Sequence, residues 1–341
     1  MNIKTLGIDI GKSTFHLVGL DEHDQPTLKK KLSRALLMRF MANLPPCLIG
    51  MEVCPGSQYL ARRFSEHGHR VRLMPAQFVK PYVKSNKNDF LDAEAIAEAV
   101  TRPSMRFVPV KTPAQQDLQA LHRVRSGFVA QRTAGINQLR AFLLEYGLTI
   151  APGIPAVRRA LPAILEDATN SLSDRMRALL HTLWQPLLDL DAKVKALTLE
   201  IDTLAQHDPT CRRLLTVPGV GPLTATALVA AIGDGRQFRR GRDLAAWLGL
   251  VPRQHSTGGK PKLLGISKRG NTYVRTLFIH GARAVLQRGA QRTDRLGPWL
   301  RGLRRRTHHN VAAVVLANKL ARIAWAVLVH GTPYQPQLPA A

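Results

Sequence analysis

Residues 5–21, TLGIDIGKSTFHLVGLD, predict the start of a β-sheet with one acid in its first strand. TLGIDIG is a short apolar run that ends in Gly11, and FHLVGLD follows at the spacing of a β-hairpin. Asp9 interrupts the apolar run, so its carboxylate is expected at the edge or the end of the sheet. The stretch therefore predicts an antiparallel pair of strands that carries a carboxylate.

Residues 22–109 extend this sheet and cover it with helices. TLKKKLS, CLIGMEVC and RVRLMP predict three more strands, and LLMRFMANL, residues 57–68 and DFLDAEAIAEAV predict helices. Three strands that can pair antiparallel, followed by alternating helices and strands, predict a mixed α/β sheet with helices on its faces. We assign this first domain to residues 1–109.

Four acids of the first domain are candidate metal ligands. Asp9 lies in the first strand, Glu52 lies near the end of the fourth, and Asp89 and Asp92 share one face of the last helix. If the first and fourth strands are neighbours, these carboxylates meet, and only cations can offset their repulsion. Oxygen ligands favour Mg²⁺ or Mn²⁺, and two such ions can clamp the attacking and leaving oxygens of a phosphodiester. Each acid alone also fits a structural role, as an acid in the first turn of a helix does.

The charge of the chain points to a polyanionic partner. Its 49 Lys and Arg residues against 23 Asp and Glu residues give a net charge of +26, which favours DNA or RNA. A generic basic surface or a ribosomal-type protein is the alternative. Three scattered cysteines without a C-x-x-C pair argue against a zinc ribbon, and they predict small buried side chains in a reducing compartment such as the cytoplasm.

Membrane insertion is not expected. The N-terminus MNIKTLGIDIGK lacks the apolar region of a secretory signal. The apolar stretch at residues 310–331 carries Asn318, Lys319 and Arg322 in its middle, which predicts a buried amphipathic helix rather than a membrane span.

Residues 110–207 predict a long helical hairpin. Apolar residues recur at alternating spacings of three and four, which is a heptad seam, at Leu180, Leu183, Leu187, Leu190, Val194, Leu197, Ile201 and Leu204. Pro186 is expected to begin this helix, and residues 113–146 supply an antiparallel partner. The pair fits either a projecting coiled coil that joins protomers or a hairpin within the core.

Residues 208–341 predict a mainly helical domain with two unusual segments. VPGVGPLTATAL, residues 217–228, fits a helix-hairpin-helix in which Gly219 and Gly221 let backbone N–H groups approach a phosphate, or else a plain tight turn. Residues 253–271 are glycine-rich and cationic and predict a mobile loop, in which Ser256 could attack a phosphodiester or merely contact DNA. The candidate nucleic-acid contacts are Gly219, Gly221, Arg239, Arg240, Lys260, Lys268, Arg269, Arg304 and Arg305. Arg275 is a further residue that could neutralise phosphate charge.

These motifs together resemble a known family over nearly the whole chain. GIDIGKSTFHLVGLD, MEVCPGSQYLARRF and KNDFLDAEAIAEA resemble the DEDD-type transposases of bacterial insertion sequences, the group of bridge-RNA-guided recombinases. The resemblance implies an RNase H-like first domain of the Holliday-junction-resolvase (RuvC-like) type, with Asp9, Glu52, Asp89 and Asp92 as its catalytic acids and Mg²⁺ or Mn²⁺ as cofactor.

The second half, with GLVPRQHSTGG followed by ISKRGN, resembles the C-terminal domain of the same transposases. There the resemblance implies that Ser256 is the nucleophile and forms a covalent phosphoserine on DNA, with Thr257 and Ser267 as lesser candidates. It further implies a guide RNA and a homo-oligomer, a dimer or a tetramer, that pairs two DNA sites.

Other functions remain open at this point. A nucleic-acid-binding scaffold would need no acids, and a metal-dependent junction nuclease would need no serine. An actin-like sugar kinase fits GIDIGKST, but its second phosphate loop is matched only weakly, at residues 233–235.

Overall fold

The computed structural model describes residues 2–83, 88–288 and 292–336, and the chain divides into two compact units, residues 1–112 and residues 113–341. Unit 1 is a mixed α/β sheet and unit 2 is mainly helical. The predicted division into residues 1–109, 110–207 and 208–341 stays a prediction.

The five strands of unit 1 form one sheet in the order β3-β2-β1-β4-β5. The strands are β1 (Thr5–Ile10), β2 (Thr14–Leu20), β3 (Pro26–Ser33), β4 (Leu48–Glu52) and β5 (Arg70–Met74). The first three are antiparallel, and β4 and β5 run parallel to β1. The predicted mixed sheet is confirmed, and the first and fourth strands are neighbours, which is the condition for the acids to meet.

Helices accompany the sheet where the sequence predicts them. They are α1 (Arg34–Asn43), α2 (Ser57–Glu66), the single-turn α3 (Ala76–Val79) and α4 (Asp89–Ala99), with a short 3₁₀ turn at Lys80–Tyr82. The core includes Leu6, Ile8, Phe15, Leu37 and Phe64, all fully buried.

Two glycines of the sheet let α4 lie unusually close to it. A Cβ atom added at Gly7 of β1 would lie 2.0 Å from the carbonyl oxygen of Ala93 and 2.8 Å from the Cβ of Ala97. At Gly50 of β4 it would lie 3.1 Å from the carbonyl oxygen of Ile96. Because neither glycine has a side chain, atoms of α4 lie directly against the backbone of the sheet. This contact sets the spacing between the helix and the sheet.

We therefore expect Gly7→Ala to push α4 away from the sheet. The new methyl group has no free volume, and overpacking of this kind destabilises by about 1–3 kcal/mol. The Gly7→Ala protein should melt earlier, and peptides covering residues 88–100 should exchange amide hydrogens faster in mass spectrometry. Gly127→Ala is the control, since Gly127 is helical with open space around it, and alanine there should stabilise by about 0.5–1 kcal/mol. Unchanged exchange of α4 in Gly7→Ala would contradict this role.

Unit 2 consists of helices and one two-stranded sheet. The helices are α5 (Pro113–Leu144), α6 (Ile154–Glu166), α7 (Asp174–His207), α8 (Pro209–Leu215), α9 (Pro222–Ile232), α10 (Gly241–Trp247), α11 (Thr272–Arg288), α12 (Leu296–Arg306) and α13 (His309–His330). The strands are β6 (Pro252–Thr257) and β7 (Lys260–Ile266), paired antiparallel.

The helices α5 and α7 pack against each other in antiparallel directions, as predicted. Arg125 donates to Thr198 at 2.8 Å, and seven residues later Arg132 donates to Asp191 at 2.5 Å. The prediction that α7 begins at Pro186 is wrong, because α7 runs through Pro186 from Asp174. The proline ring faces solvent, and packing over the rest of this long helix outweighs one lost backbone hydrogen bond.

Only part of the predicted heptad seam is buried. Leu180, Leu187, Val194 and Ile201, one residue of each heptad, are buried. The other four are partly buried or exposed, and Leu204 keeps 42% of its surface exposed. The coiled coil stays a prediction.

The apolar helix α13 is a core element of unit 2. By length and composition it is the one helix among the described residues that could cross a membrane, and half of its most apolar stretch is buried. It packs against α8, α10 and α11. Of the polar residues in its middle, Asn318 donates to the carbonyl oxygen of Leu250 at 3.1 Å, and Lys319 lies over the ring of Trp299. The predicted buried helix is confirmed.

The loop predicted at residues 253–271 is wrong over most of its length. Residues 252–266 form the β6–β7 hairpin, whose turn is Gly258-Gly259, both with positive φ. Two such glycines are typical of a tight hairpin turn. The side chains of this hairpin are exposed up to Gly265, so its sequence lacks the apolar alternation that marks a half-buried strand.

Candidate active site

The parallel pairing of β1 and β4 brings two of the predicted acids to one end of the sheet. Ile8 pairs with Met51, so Asp9 and Glu52 are the next residues of the two central strands. Parallel strands place their carboxyl ends at the same edge of a sheet, and both side chains are half-buried there.

The other two acids lie in the first turn of α4. Asn88 caps this helix by accepting a hydrogen bond from the backbone N–H of Phe90 at 2.9 Å. Asp89 and Asp92 follow the cap directly, where the positive end of the helix dipole favours acids. The same close packing of α4 on the glycines of β1 and β4 sets their distance from the sheet.

A histidine joins the acids at the tightest point of the site. Ligand atoms of Asp9, His16 and Asp89 all lie within 4.8 Å of one another, and His16 Nδ1 lies 3.5 Å from Asp89 Oδ2. Glu52 and Asp92 are outside this set, although both interact with the charge of Asp9. The structure therefore brings the predicted acids to one region, and the closest group is two aspartates and an imidazole.

His16 is absent from the sequence-based predictions, although the hairpin contains the signal for it. The turn after Gly11 places Ile10 opposite Phe15, and therefore Asp9 opposite His16. Cross-strand partners in an antiparallel pair lie about 4.5–5.5 Å apart at their Cβ atoms. Register, rather than spacing along the chain, identifies this residue.

Burial and repulsion between carboxylates dominate the electrostatics of the site, and the charge of His16 offsets them only in part at Asp9. Burial raises the pKa of Asp9 above its ordinary value, and the charges of Asp92 and Asp89 raise it further. Burial and the charges of Asp9 and Asp92 likewise raise the pKa of Glu52. A cation among these groups would favour their charged forms. Oxygen ligands with one imidazole suit Mg²⁺ or Mn²⁺, so the residues fit a divalent ion.

A thiol lies at the margin of this site. Burial first, and then the charges of Asp9 and Glu52, raise the pKa of Cys54. The prediction that all three cysteines are buried holds for Cys47 and Cys211 but not for Cys54, which is partly exposed.

Ser256 lies in unit 2, on the exposed face of β6. Its Oγ accepts a hydrogen bond from Gln254 Nε2 at 2.8 Å, since the two side chains share one face of the strand. Thr257 is its neighbour next to the turn, and Ser267 follows the hairpin and is partly buried. The sequence from Pro252 to Asn271 contains no acid, so the serine is surrounded in sequence only by neutral and basic residues.

The glycines of the predicted helix-hairpin-helix have different surroundings. Gly219 has positive φ, and a Cβ added there would lie 2.7 Å from the carbonyl oxygen of Gly281 in α11. Internal packing therefore explains Gly219. Gly221 precedes α9 and has open space where a Cβ would be.

The predicted cationic contacts are surface residues. The exposed side chains are Arg239, Arg240, Lys260, Lys268, Arg269, Arg304 and Arg305. Arg275, which the sequence suggests as a further phosphate contact, is buried instead. Its guanidinium donates hydrogen bonds to the carbonyl oxygens of Leu248 and Arg269. Arg275 thereby links the segment that follows the hairpin to the end of α10.

Comparison with known proteins identifies the family of this chain. A model of IS110-type DEDD transposases, described as a transposase, matches residues 6–148. A second model, described as the transposase IS116/IS110/IS902 family, matches residues 211–296. A probable family 20 transposase of Pseudomonas aeruginosa is 49% identical, over 98% of this chain and 100% of its own length.

The chain belongs to the IS110/IS116 family of DEDD transposases. Among its relatives, the transposase of insertion sequence element IS1328 from Yersinia enterocolitica is 45% identical over 98% of this chain and 99% of its own. The transposase of insertion sequence element IS1111A from Coxiella burnetii is 46% identical over 98% of this chain and 92% of its own length. Membership implies an enzyme that cuts and rejoins DNA. The sugar-kinase alternative is wrong: residues 233–235 are the turn after α9, where Gly235 accepts a hydrogen bond from Trp325.

In this transposase a divalent cation should stabilise unit 1 most at neutral pH. The raised pKa values of Asp9 and Glu52 mean that folding favours their protonated forms. The metal-free protein therefore loses stability as pH rises through these pKa values, and a bound cation restores it. A cation at a hundred times its Kd should add about 2.7 kcal/mol, measured as a rise in melting temperature.

The variant Asp9→Asn should melt higher than the parent without metal at pH 7, and it should lose most of the metal-induced rise. Asp24→Asn is the matched control, because Asp24 lies on an exposed turn of the same unit with φ of 58°, a conformation asparagine adopts readily. A metal-induced rise that is equal in Asp9→Asn and Asp24→Asn would contradict the site.

Proposed function

We propose that this transposase excises and inserts its own element by metal-assisted attack of Ser256 on DNA. The observation that carries the proposal is the meeting of Asp9, Asp89 and their acidic neighbours at the carboxyl end of β1, in a chain of net charge +26. Uncompensated carboxylates require cations, and the positive surface attracts the phosphates of DNA.

The roles in unit 1 follow from the ligand chemistry. Asp9, Glu52, Asp89 and Asp92 would hold Mg²⁺ or Mn²⁺. When bound, such an ion polarises a phosphodiester and makes an attacking hydroxyl more acidic. The carboxylates themselves orient the ion, and the glycine-packed α4 keeps two of them in place.

In unit 2, Ser256 would be the nucleophile. Its Oγ forms a bond to phosphorus while the bond from phosphorus to a deoxyribose oxygen breaks. The serine hydroxyl gives its proton to a base, and the departing deoxyribose oxygen takes up one proton. One phosphate ester bond forms and one breaks, so their number is unchanged. Because the serine ester conserves the phosphodiester energy, a strand hydroxyl can later reverse the step and rejoin DNA. The hydrogen bond that Gln254 donates to Oγ supports this role, since it leaves the serine proton free for a base.

Nucleic acid and further subunits would complete the active assembly. The exposed cations of unit 2 suit a phosphate backbone, and aromatic residues make up only 6% of the chain, which disfavours base stacking as the main mode of recognition. Target choice by a guide RNA would account for that. The exposed side chains of Leu199 and Leu204 on α7 would be available to a subunit interface. As the resemblance implies, the assembly would be a dimer or tetramer in the bacterial cytoplasm.

The decisive variant is Ser256→Ala, tested for a covalent protein–DNA adduct. With Mg²⁺ and a junction-bearing DNA, the parent should form a denaturant-resistant adduct, and Ser256→Ala should reduce it at least about a hundredfold. DNA affinity should stay within about threefold, since one neutral hydroxyl is lost. Ser267→Ala is the control and should keep the adduct.

The other outcomes separate the alternatives. An adduct that persists in Ser256→Ala would move the nucleophile to Thr257, Ser267 or Tyr273. Metal-dependent cleavage without an adduct would support a junction nuclease. DNA binding without cleavage or an adduct would support a scaffold.

Cations on the hairpin and just after it should contribute to affinity regardless of DNA sequence. For Lys260→Ala and Arg269→Ala we expect weaker DNA binding, with the slope of log K against log salt reduced by about 0.9 for each lost phosphate contact. Lys4→Ala, which removes an exposed lysine from unit 1, should leave the slope unchanged. Equal slopes in all variants would exclude the hairpin as a phosphate contact.

A further inference from the structure

The imidazole of His16 lies at the acid site, and the four-carboxylate scheme does not use it. Only 8% of the residue is exposed. It lies on β2, directly opposite Asp9 on β1 and Lys31 on β3. A buried imidazole at the centre of an acidic site needs an explanation of its own.

The surroundings of His16 fix the direction of its ring. Phe90, in the first turn of α4, meets the ring edge to face at a centroid distance of 4.9 Å and an angle of 78°. The backbone N–H of Phe90 is held by the Asn88 cap. Strands on both sides fix the backbone, so Nδ1 is directed at Asp89 Oδ2, 3.5 Å away.

Two other buried histidines show what a purely structural imidazole looks like in this protein. His69 contacts the carbonyl oxygen of Met41 at 2.9 Å through Nε2 and the backbone N–H of Cys47 through Nδ1. His122 contacts the hydroxyls of Tyr273 and Thr226, at 3.0 and 2.9 Å. Both rings have a partner at each nitrogen. Among the described residues, the polar contact found for His16 is the longer approach to Asp89.

We propose that His16 is a nitrogen ligand of the divalent ion that Asp9 and Asp89 hold. The inference rests on the proposed metal centre and adds a ligand to it. The ligand atoms of the three residues lie within 4.8 Å of one another, as donors to one ion must. Imidazole suits borderline transition ions, whereas Mg²⁺ prefers oxygen. His16 therefore shifts the preference of the site from Mg²⁺ towards Mn²⁺.

Pulsed electron paramagnetic resonance of Mn²⁺ bound to the full-length protein tests this directly. A nitrogen coordinated to Mn²⁺ gives a ¹⁴N modulation that carboxylates cannot give. We expect the modulation in the parent and its loss in both His16→Gln and His16→Leu. Glutamine keeps a polar group near the ion, so His16→Gln keeps the test valid if the leucine variant fails to fold. His23→Gln, on an exposed turn of the same unit, should retain the modulation.

Metal titration of the same proteins supplies the second measurement. In His16→Gln the preference for Mn²⁺ over Mg²⁺, taken as the ratio of the two Kd values, should fall by about tenfold. His23→Gln should keep the parental ratio.

The outcomes distinguish a failure of this inference from a failure of the metal centre. Mn²⁺ that binds the parent without ¹⁴N modulation would overturn the role of His16 and leave the carboxylate site standing. Modulation that survives in His16→Gln and His16→Leu would overturn it as well. A parent that binds no Mn²⁺ would overturn the metal centre and the His16 ligand together.

Discussion

The close contact between α4 and the central strands is the constraint on which the candidate active site depends. Two of the acids are on α4 and two are at the ends of β1 and β4. Their distance depends on the close approach of α4 to Gly7, where backbone atoms of the helix lie nearest, and to Gly50, where atoms of Ile96 lie nearby. The buried face of α4 is made largely of alanine for the same reason. A larger residue at any of these positions would separate the acids while leaving each of them chemically intact.

In two clusters of this protein the neighbours of a buried carboxylate shift its pKa in opposite directions. Burial alone would raise the pKa of Asp191 on α7, but hydrogen bonds and charges from Lys195 and Arg132 hold it below its ordinary value. Arg158 of α6 completes that cluster at 2.7 Å, so three helices share one satisfied anion. At Asp9 the neighbouring acids have the opposite effect and raise the pKa. The first arrangement stabilises the fold, whereas the second opposes it, as is expected of a site built to receive a cation.

The sequence predicts the sheet of unit 1 well because its signals are local. Apolar runs, turn residues and the alternation of strands and helices are read within a few residues, and they suffice for a mixed sheet. The pairing of β1 with β4 is seen only in the structure. The failures depend on partners that are distant in the chain. His16 matters through its register with Asp9, Arg275 through carbonyl oxygens that the fold presents to it, and Pro186 through helix packing that overrides a local preference. The sequence does not indicate the β6–β7 hairpin, because its exposed strands show no apolar periodicity.

The two proposed reaction centres differ in how firmly the protein holds them. The acids stand on a five-stranded sheet and a capped helix, so their geometry exists before any substrate binds. Ser256 stands on a two-stranded ribbon with exposed side chains, and such ribbons are marginally stable by themselves. Two hydrogen bonds hold the base of the ribbon. The backbone N–H of Ser267 donates to the carbonyl oxygen of Val251, and the Arg275 guanidinium donates to the carbonyl oxygen of Arg269. Towards the turn, the cations of the ribbon repel one another until phosphate neutralises them. Under the proposed function, DNA is therefore the partner that orders the serine, while the acid site needs only its ion.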